Sequence, residues 1–281
     1  MHRYQILLEY VGTGFYGWQY QKKNITVQGT IQKILTKILK EEIKLHGSGR
    51  TDANVHAIEQ SAHFDVKNKI VNLKKFLNTL NFFLNKKLIS VIKINKKTSN
   101  FHARFSAKKR IYKYLIYNRV SSPSINRDRG WHIKKKLNLE LIKKASLFLK
   151  GTHDLSVFRA SNCSALSPVK TIDYLKIKEN KNIIEIQIKS KSFLKQQVRS
   201  IVGCLKYVGE KKWSISRFKR IVKSKNRNLC APPAPGAGLY LEKSYLLSLL
   251  DLNFLFILHL EPSRTIYPQH FLEPHLQGNC L

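Results

Sequence analysis

The apolar residues of this chain switch between two periods, and the order of the switches limits the folds open to it. Tyr4 to Tyr10 reads as a strand, and VGTGFYGW (Val11 to Trp18) as a glycine-punctuated loop. Ile31, Ile34, Leu35 and Ile38 then recur at helical spacing and predict a helix over 27–39. Ile58, Ala62, Phe64 and Val66 return to period two and predict a strand with one buried face. A second helix is expected over 73–84 and a strand over 88–94. A similar order recurs beyond about residue 105, with no repeat in the sequence itself. It comprises a strand over 106–117, a helix over 139–149, a hairpin of 172–177 and 183–188, and an amphipathic helix over 194–208. Such an order is an α+β pattern in two tandem halves, 1–105 and 106–246. Val169, Trp18 and Trp131 are expected to pack.

The C-terminal stretch, 247–281, differs in composition. No lysine follows Lys243, and Pro262, Pro268 and Pro274 oppose a compact fold, so it reads as an atypical tail. The apolar run Tyr245 to Leu260 falls about one turn short of a membrane span and contains Asp251 and Asn253. The first residues, MHRYQILLEYVG, lack a long apolar signal core. Cys163, Cys204, Cys230 and Cys280 are widely spaced with no metal-binding pattern, which fits a reducing compartment and no zinc. A cytoplasmic protein with no membrane contact is expected.

Charge points to the partner. Lys plus Arg number 51 against 17 acids, for a formal charge of +34. A field of that size costs self-repulsion, and enzymes of small metabolites do not need it. A polyanion, above all a nucleic acid, is the natural counterpart; AT-biased coding would also enrich lysine.

Within this basic chain, HGSGRTDANVHAIEQSAHFD (His46 to Asp65) sets one acid, Asp52, just after Gly47, Gly49 and Arg50. Glycines let a backbone approach a ligand closely, and the strand that follows is a rigid mount for a catalytic group. Three readings stay open on spacing alone. Asp52 caps a turn; or it binds a metal with His46, His56 or His63; or it acts as a nucleophile on RNA. Without further context, His56 and His63 read as structural, Tyr112 as a strand aromatic and Arg199 as a solvated helix residue.

GRTDANVHA closely resembles the GRTDAGVHA block of the TruA family of tRNA pseudouridine synthases. EYVGTGFYGWQYQ, TVQGTIQKIL, FHARFSAKKRIYKYLIYN, GTHDLSVFRA, SFLKQQVRSIVGCLKYVG and APPAPGAGLYLEKSYL resemble further blocks in that family's order, across residues 3–246. The resemblance implies the pseudouridine-synthase α+β fold, with two related halves, antiparallel sheets side by side and a basic cleft. It implies Asp52 as nucleophile, Arg199 as its partner, Tyr112 against the target base and Arg50 as an aid to base flipping. It implies no cofactor and no metal, tRNA as partner, a homodimer, and action on uridines 38, 39 and 40 of the anticodon stem-loop. A non-catalytic tRNA-binding protein on the same scaffold is the alternative. The chain departs from the family pattern at Val11, where an acid is usual, at Asn54, where glycine is usual, and at Gln196, Gln197 and Ser200 around Arg199. An asparagine at position 54 is among the least costly replacements if the backbone there has positive φ.

Overall fold

The computed structural model describes residues 1–246, so the expected tail lies outside the described residues. Alternation builds the first strand, β1 (His2–Tyr10), whose Tyr4, Ile6, Leu8 and Tyr10 are buried. It is followed by α1 (Val27–Leu39), β2 (His46–Gly47), β3 (His56–Val66), α2 (Leu73–Leu84) and β4 (Ile89–Lys97). Then come β5 (Ala107–Tyr117), β6 (Trp131–His132), α3 (Leu139–Ser146), β7 (Gly151–Asp154), β8 (Val169–Asn180) and β9 (Ile183–Ser190). The last elements among the described residues are α4 (Gln197–Gly209), α5 (Ile215–Ser224) and β10 (Leu239–Leu246).

The strands form one sheet in the order β4-β1-β3-β10-β5-β9-β8-β7, with β2 on β3 and β6 on β5. Pairings are antiparallel except β10 with β3 and β6 with β5. Three strands from the first part of the chain and four from the second thus meet at β10. That strand runs parallel to β3, with Tyr240 opposite His56, and antiparallel to β5, with Leu241 opposite Tyr112. Among the described residues, one apolar core cluster includes residues of both parts.

Helix starts follow local chemistry. Thr26, Asn72, Asn138 and Ser214 each accept an amide N–H from the first turn of α1, α2, α3 and α5 through their side-chain oxygens. The expected helix over 194–208 begins later, at Gln197. Gln196 adopts φ +62°, and the Leu194 N–H donates to Gln197 Oε1 at 2.8 Å, which holds the entry as a turn. Its stripe of Val198, Ile201, Val202, Leu205 and Val208 is buried as expected. Ser200, Gly203 and Cys204 are buried too, because Arg227, Pro232 and Cys230 respectively pack on them. A Cβ at Gly203 would lie 2.2 Å from Pro232 O, so only glycine admits this approach.

Two other expectations need correction. β3 is covered on both faces: Ala57, Ser61 and His63 are buried as well as Ala62, Phe64 and Val66. Val169, expected to pack, opens β8 opposite Asp154 and is 47% exposed, because β7 is the last strand on that side of the sheet. Trp18 is buried, and Trp131 packs against the core. No helix among the described residues is long and apolar enough to cross a membrane.

Candidate active site

The loop between β2 and β3 is fastened from beneath. Gly47 lies against the Trp18 indole. The Ser48 N–H donates to Ser61 O at 2.7 Å, and Ser48 Oγ donates to Gln60 Oε1 at 2.7 Å. Gln60 Nε2 donates to Gly49 O at 2.7 Å. The Trp18 N–H donates to Thr51 O at 3.0 Å, and the Tyr10 hydroxyl bonds Thr51 Oγ1 at 2.8 Å. Asn54 closes the turn at φ +63°, the left-handed region in which asparagine is tolerated better than most residues. The departure from glycine at this position therefore keeps the backbone that the loop requires.

With the backbone held by these groups, the Asp52 carboxylate is left for another partner. It caps no amide among the described residues. Asp52 Oδ2 instead accepts from Arg199 Nη1 at 3.2 Å, across 147 residues of sequence. The two side chains are 25% and 16% exposed, so the pair is sheltered yet reachable. Arg199 is not a solvated helix residue. Its Nε donates to Ala234 O at 2.7 Å, and the Ala234 N–H donates back to Arg199 O at 3.0 Å.

Tyr112 sits in β5 between Leu241 of β10 and Ile188 of β9, with its ring edge-on to Phe193 at 5.0 Å. Burial pushes its hydroxyl up to about 12, with a contribution from the Asp52 charge and opposition from Arg110. The phenol therefore stays protonated at neutral pH. Its oxygen lies 3.8 Å from where a Cβ on Gly49 would stand, beside the aspartate loop. Arg50 is exposed and makes no hydrogen bond or ion pair among the described residues.

Sequence reasoning missed Arg110. Its Nε and Nη2 both donate to Ser48 O, at 3.1 and 2.7 Å, while Nη2 also reaches Arg104 O and Nη1 reaches Lys191 O. One guanidinium thus ties three segments around the loop. The available signal was period two, since Arg110 shares a strand face with Tyr112.

The three histidines proposed as metal ligands have other partners. His56 Nδ1 accepts the Gly12 N–H at 3.0 Å, and its Nε2 lies 3.1 Å from Ala237 O. His63 Nδ1 accepts the Ala103 N–H at 3.2 Å, and its ring stacks on His46 at 5.0 Å. No group of three or more His, Cys, Asp or Glu among the described residues is placed to hold a metal ion.

The family model described as tRNA pseudouridine synthase matches residues 6–106 and 145–245. The tRNA pseudouridine synthase A of Pelagibacter ubique (strain HTCC1062) is 59% identical over 243 residues, covering 86% of this chain and 99% of that protein. The chain belongs to the tRNA pseudouridine synthase family. Like-named proteins of Neorickettsia sennetsu (strain ATCC VR-367 / Miyayama) and Ehrlichia ruminantium (strain Gardel) are 40% and 41% identical. Each comparison covers 86% of this chain and 98% of the relative. A solved Cbf5-Nop10-Gar1 complex is a distant neighbour at TM-score 0.29 and 10% identity, covering 72% of this chain and 53% of that one.

Members of the tRNA pseudouridine synthase family are isomerases, and in this member His63 carries a consequence for stability. Burial first, then the charges of His102, Arg3 and His46, hold its imidazole down at about 4. The unfolded side chain takes its proton near 6.5. Between those values the unfolded state binds a proton that the folded state refuses, so stability falls as pH drops from about 6.5 to about 4. The slope from this residue is at most about 1.4 kcal/mol per pH unit, reached only midway between the two values. Urea midpoints at pH 7 and pH 5 are expected to differ in that sense, and His63→Asn to flatten the difference.

Proposed function

We propose that this protein converts uridine to pseudouridine in tRNA, with Asp52 as the nucleophile. The observation that carries the reading is the Asp52–Arg199 pair, formed between the β2–β3 loop and α4. In this reading residues 1–105 supply the aspartate, and residues 106–246 supply Arg199 and Tyr112. The +34 charge draws in the RNA backbone. The target uridine leaves the stack, at a cost of a few kcal/mol, and Arg50 enters the space it vacates. Stacking of the flipped uracil on Tyr112 returns about 1–3 kcal/mol.

Asp52 engages the ribose as the C1′–N1 bond breaks. The uracil turns, C5 bonds to C1′, C5 gives up its proton and N1 gains one. The bonds balance without oxidation or net hydrolysis, so the isomerisation asks for no cofactor. The substrate proposed is the anticodon stem-loop at uridines 38, 39 and 40, with a homodimer as the working form and the cytoplasm as its site.

Release of tritium from C5-labelled uridine in tRNA tests the reading directly. The protein is expected to discharge tritium to water with no added metal or coenzyme. Tight tRNA binding with no release would instead favour a non-catalytic tRNA-binding protein.

A further inference from the structure

Two thiols outside the catalytic constellation meet behind Arg199. Cys204 lies on α4 and is buried; Cys230 is half-buried at the head of the segment that leads to Ala234. Their Sγ atoms are 3.4 Å apart. This segment rests directly on α4, with Pro232 O against Gly203. It also holds Arg199, through both polar groups of Ala234. The thiol pair and the arginine clamp therefore join the same two pieces of chain.

Cys230 is reachable, since it lines an open cleft of about 480 Å³ together with Tyr207, Trp213 and Arg217. Arg227 stands close by, with Nη1 donating to Ser200 Oγ at 2.9 Å. The hydrogen bond between the two sulfurs lowers the Cys230 thiol; burial opposes this, and the Arg227 charge assists. The same hydrogen bond, then burial, raises Cys204. Cys230, the more exposed sulfur of the two, is the one an oxidant can meet, and the thiolate is the reactive form.

We propose that Cys204 and Cys230 are an oxidisable dithiol, closed to a disulfide by a hydroperoxide, and that closure displaces the segment that holds Arg199. The Cys230 thiolate attacks the peroxide and the O–O bond breaks. This leaves a sulfenic acid on Cys230 and releases an alcohol, or water when the oxidant is hydrogen peroxide. The Cys204 sulfur then attacks that sulfenic sulfur, the S–O bond breaks, and hydroxide leaves with the Cys204 proton as water. Two thiols lose two electrons and the peroxide gains them. The sulfurs must close from 3.4 Å to about 2.0 Å. A displacement of about 1 Å at a positioned catalytic group costs up to about 100-fold in rate.

The test is mild hydrogen peroxide treatment of the full chain, alkylation under denaturing conditions, and peptide mapping by mass spectrometry. A linked peptide pair containing Cys204 and Cys230 is expected, with both thiols restored by dithiothreitol. Turnover is expected to fall about 10- to 100-fold on oxidation and to recover on reduction. Cys230→Ser should form no link and keep its turnover through the same treatment. Free alkylation of both cysteines after peroxide, or oxidation of Cys230 without a link, would overturn the dithiol. A link with unchanged turnover would overturn the coupling to Arg199. The turnover arm rests on the synthase reading and the thiol arm does not, so a protein with no basal turnover counts against that reading alone.

Discussion

Asp52→Asn is expected to lower tritium release from tRNA by about 10⁴- to 10⁶-fold, the range for removal of a nucleophile or its close partner, while tRNA affinity holds. The two halves of that result follow from different physics. Asparagine matches aspartate in shape and keeps an oxygen that can accept from Arg199 Nη1, so the loop has no reason to move. Thr51, Gly49 and Ser48, which fasten the loop to Trp18, Gln60 and Ser61, are untouched. Replacing one of 17 acids in a chain with 51 basic residues makes the protein more positive, so attraction to phosphates cannot fall. The amide, however, is a far weaker nucleophile and base than the carboxylate. The turn-cap reading makes the opposite forecast, because asparagine caps as well as aspartate. Residual release within about tenfold of the unmodified protein would return Asp52 to a structural role. Parallel loss of affinity, by filter binding, would mean that the substitution had disturbed the loop.

How much of this was legible before the fold was known depends on the range over which each signal acts. The strand of Tyr4 to Tyr10 and the helices at 27–39 and 73–84 rest on local periodicity and sit where it put them. Asn54 was readable as a tolerable substitute only on the condition of positive φ, and the loop meets that condition. β10 was not read as a strand, because the PPAPGAG that precedes it resembles a loop. Its partners, β3 and β5, also come from distant parts of the chain. α5 was missed although Phe218, Ile221 and Val222 bury one face, because the surrounding lysines and arginines dilute the pattern. The Asp52–Arg199 pairing had no local signal at all; only ordered blocks shared with a family pointed to it. Arg110 shows the remaining gap. A guanidinium bonded to three carbonyls looks in sequence like one more surface charge, since its partners Ser48, Arg104 and Lys191 converge only through the sheet.

Arg199→Ala is expected to reduce turnover by about 10²- to 10³-fold, the scale for losing one preorganised donor, with a smaller effect on stability. Arg199 does two things at once: Nη1 meets Asp52 Oδ2, and Nε meets Ala234 O. Alanine removes both contacts, leaving the carboxylate unoriented and a carbonyl without its donor. The pair is 16% and 25% exposed, between a surface ion pair and a buried one, so water replaces part of what is lost. A stability loss of about 1–3 kcal/mol is the resulting expectation. Arg199→Lys separates the two duties. A lysine ammonium keeps the charge but lacks the planar fork, so it cannot hold the Asp52 and Ala234 oxygens in one fixed geometry. It should recover stability more than rate. The decisive measurement is single-turnover tritium release from Asp52→Asn, Arg199→Ala and the double variant, with thermal melts of each. Groups that act as a unit are non-additive, so the double variant should be little slower than Asp52→Asn alone. Full additivity of the two losses would mean that Arg199 serves the substrate independently, and that its bond to Asp52 is incidental to the chemistry.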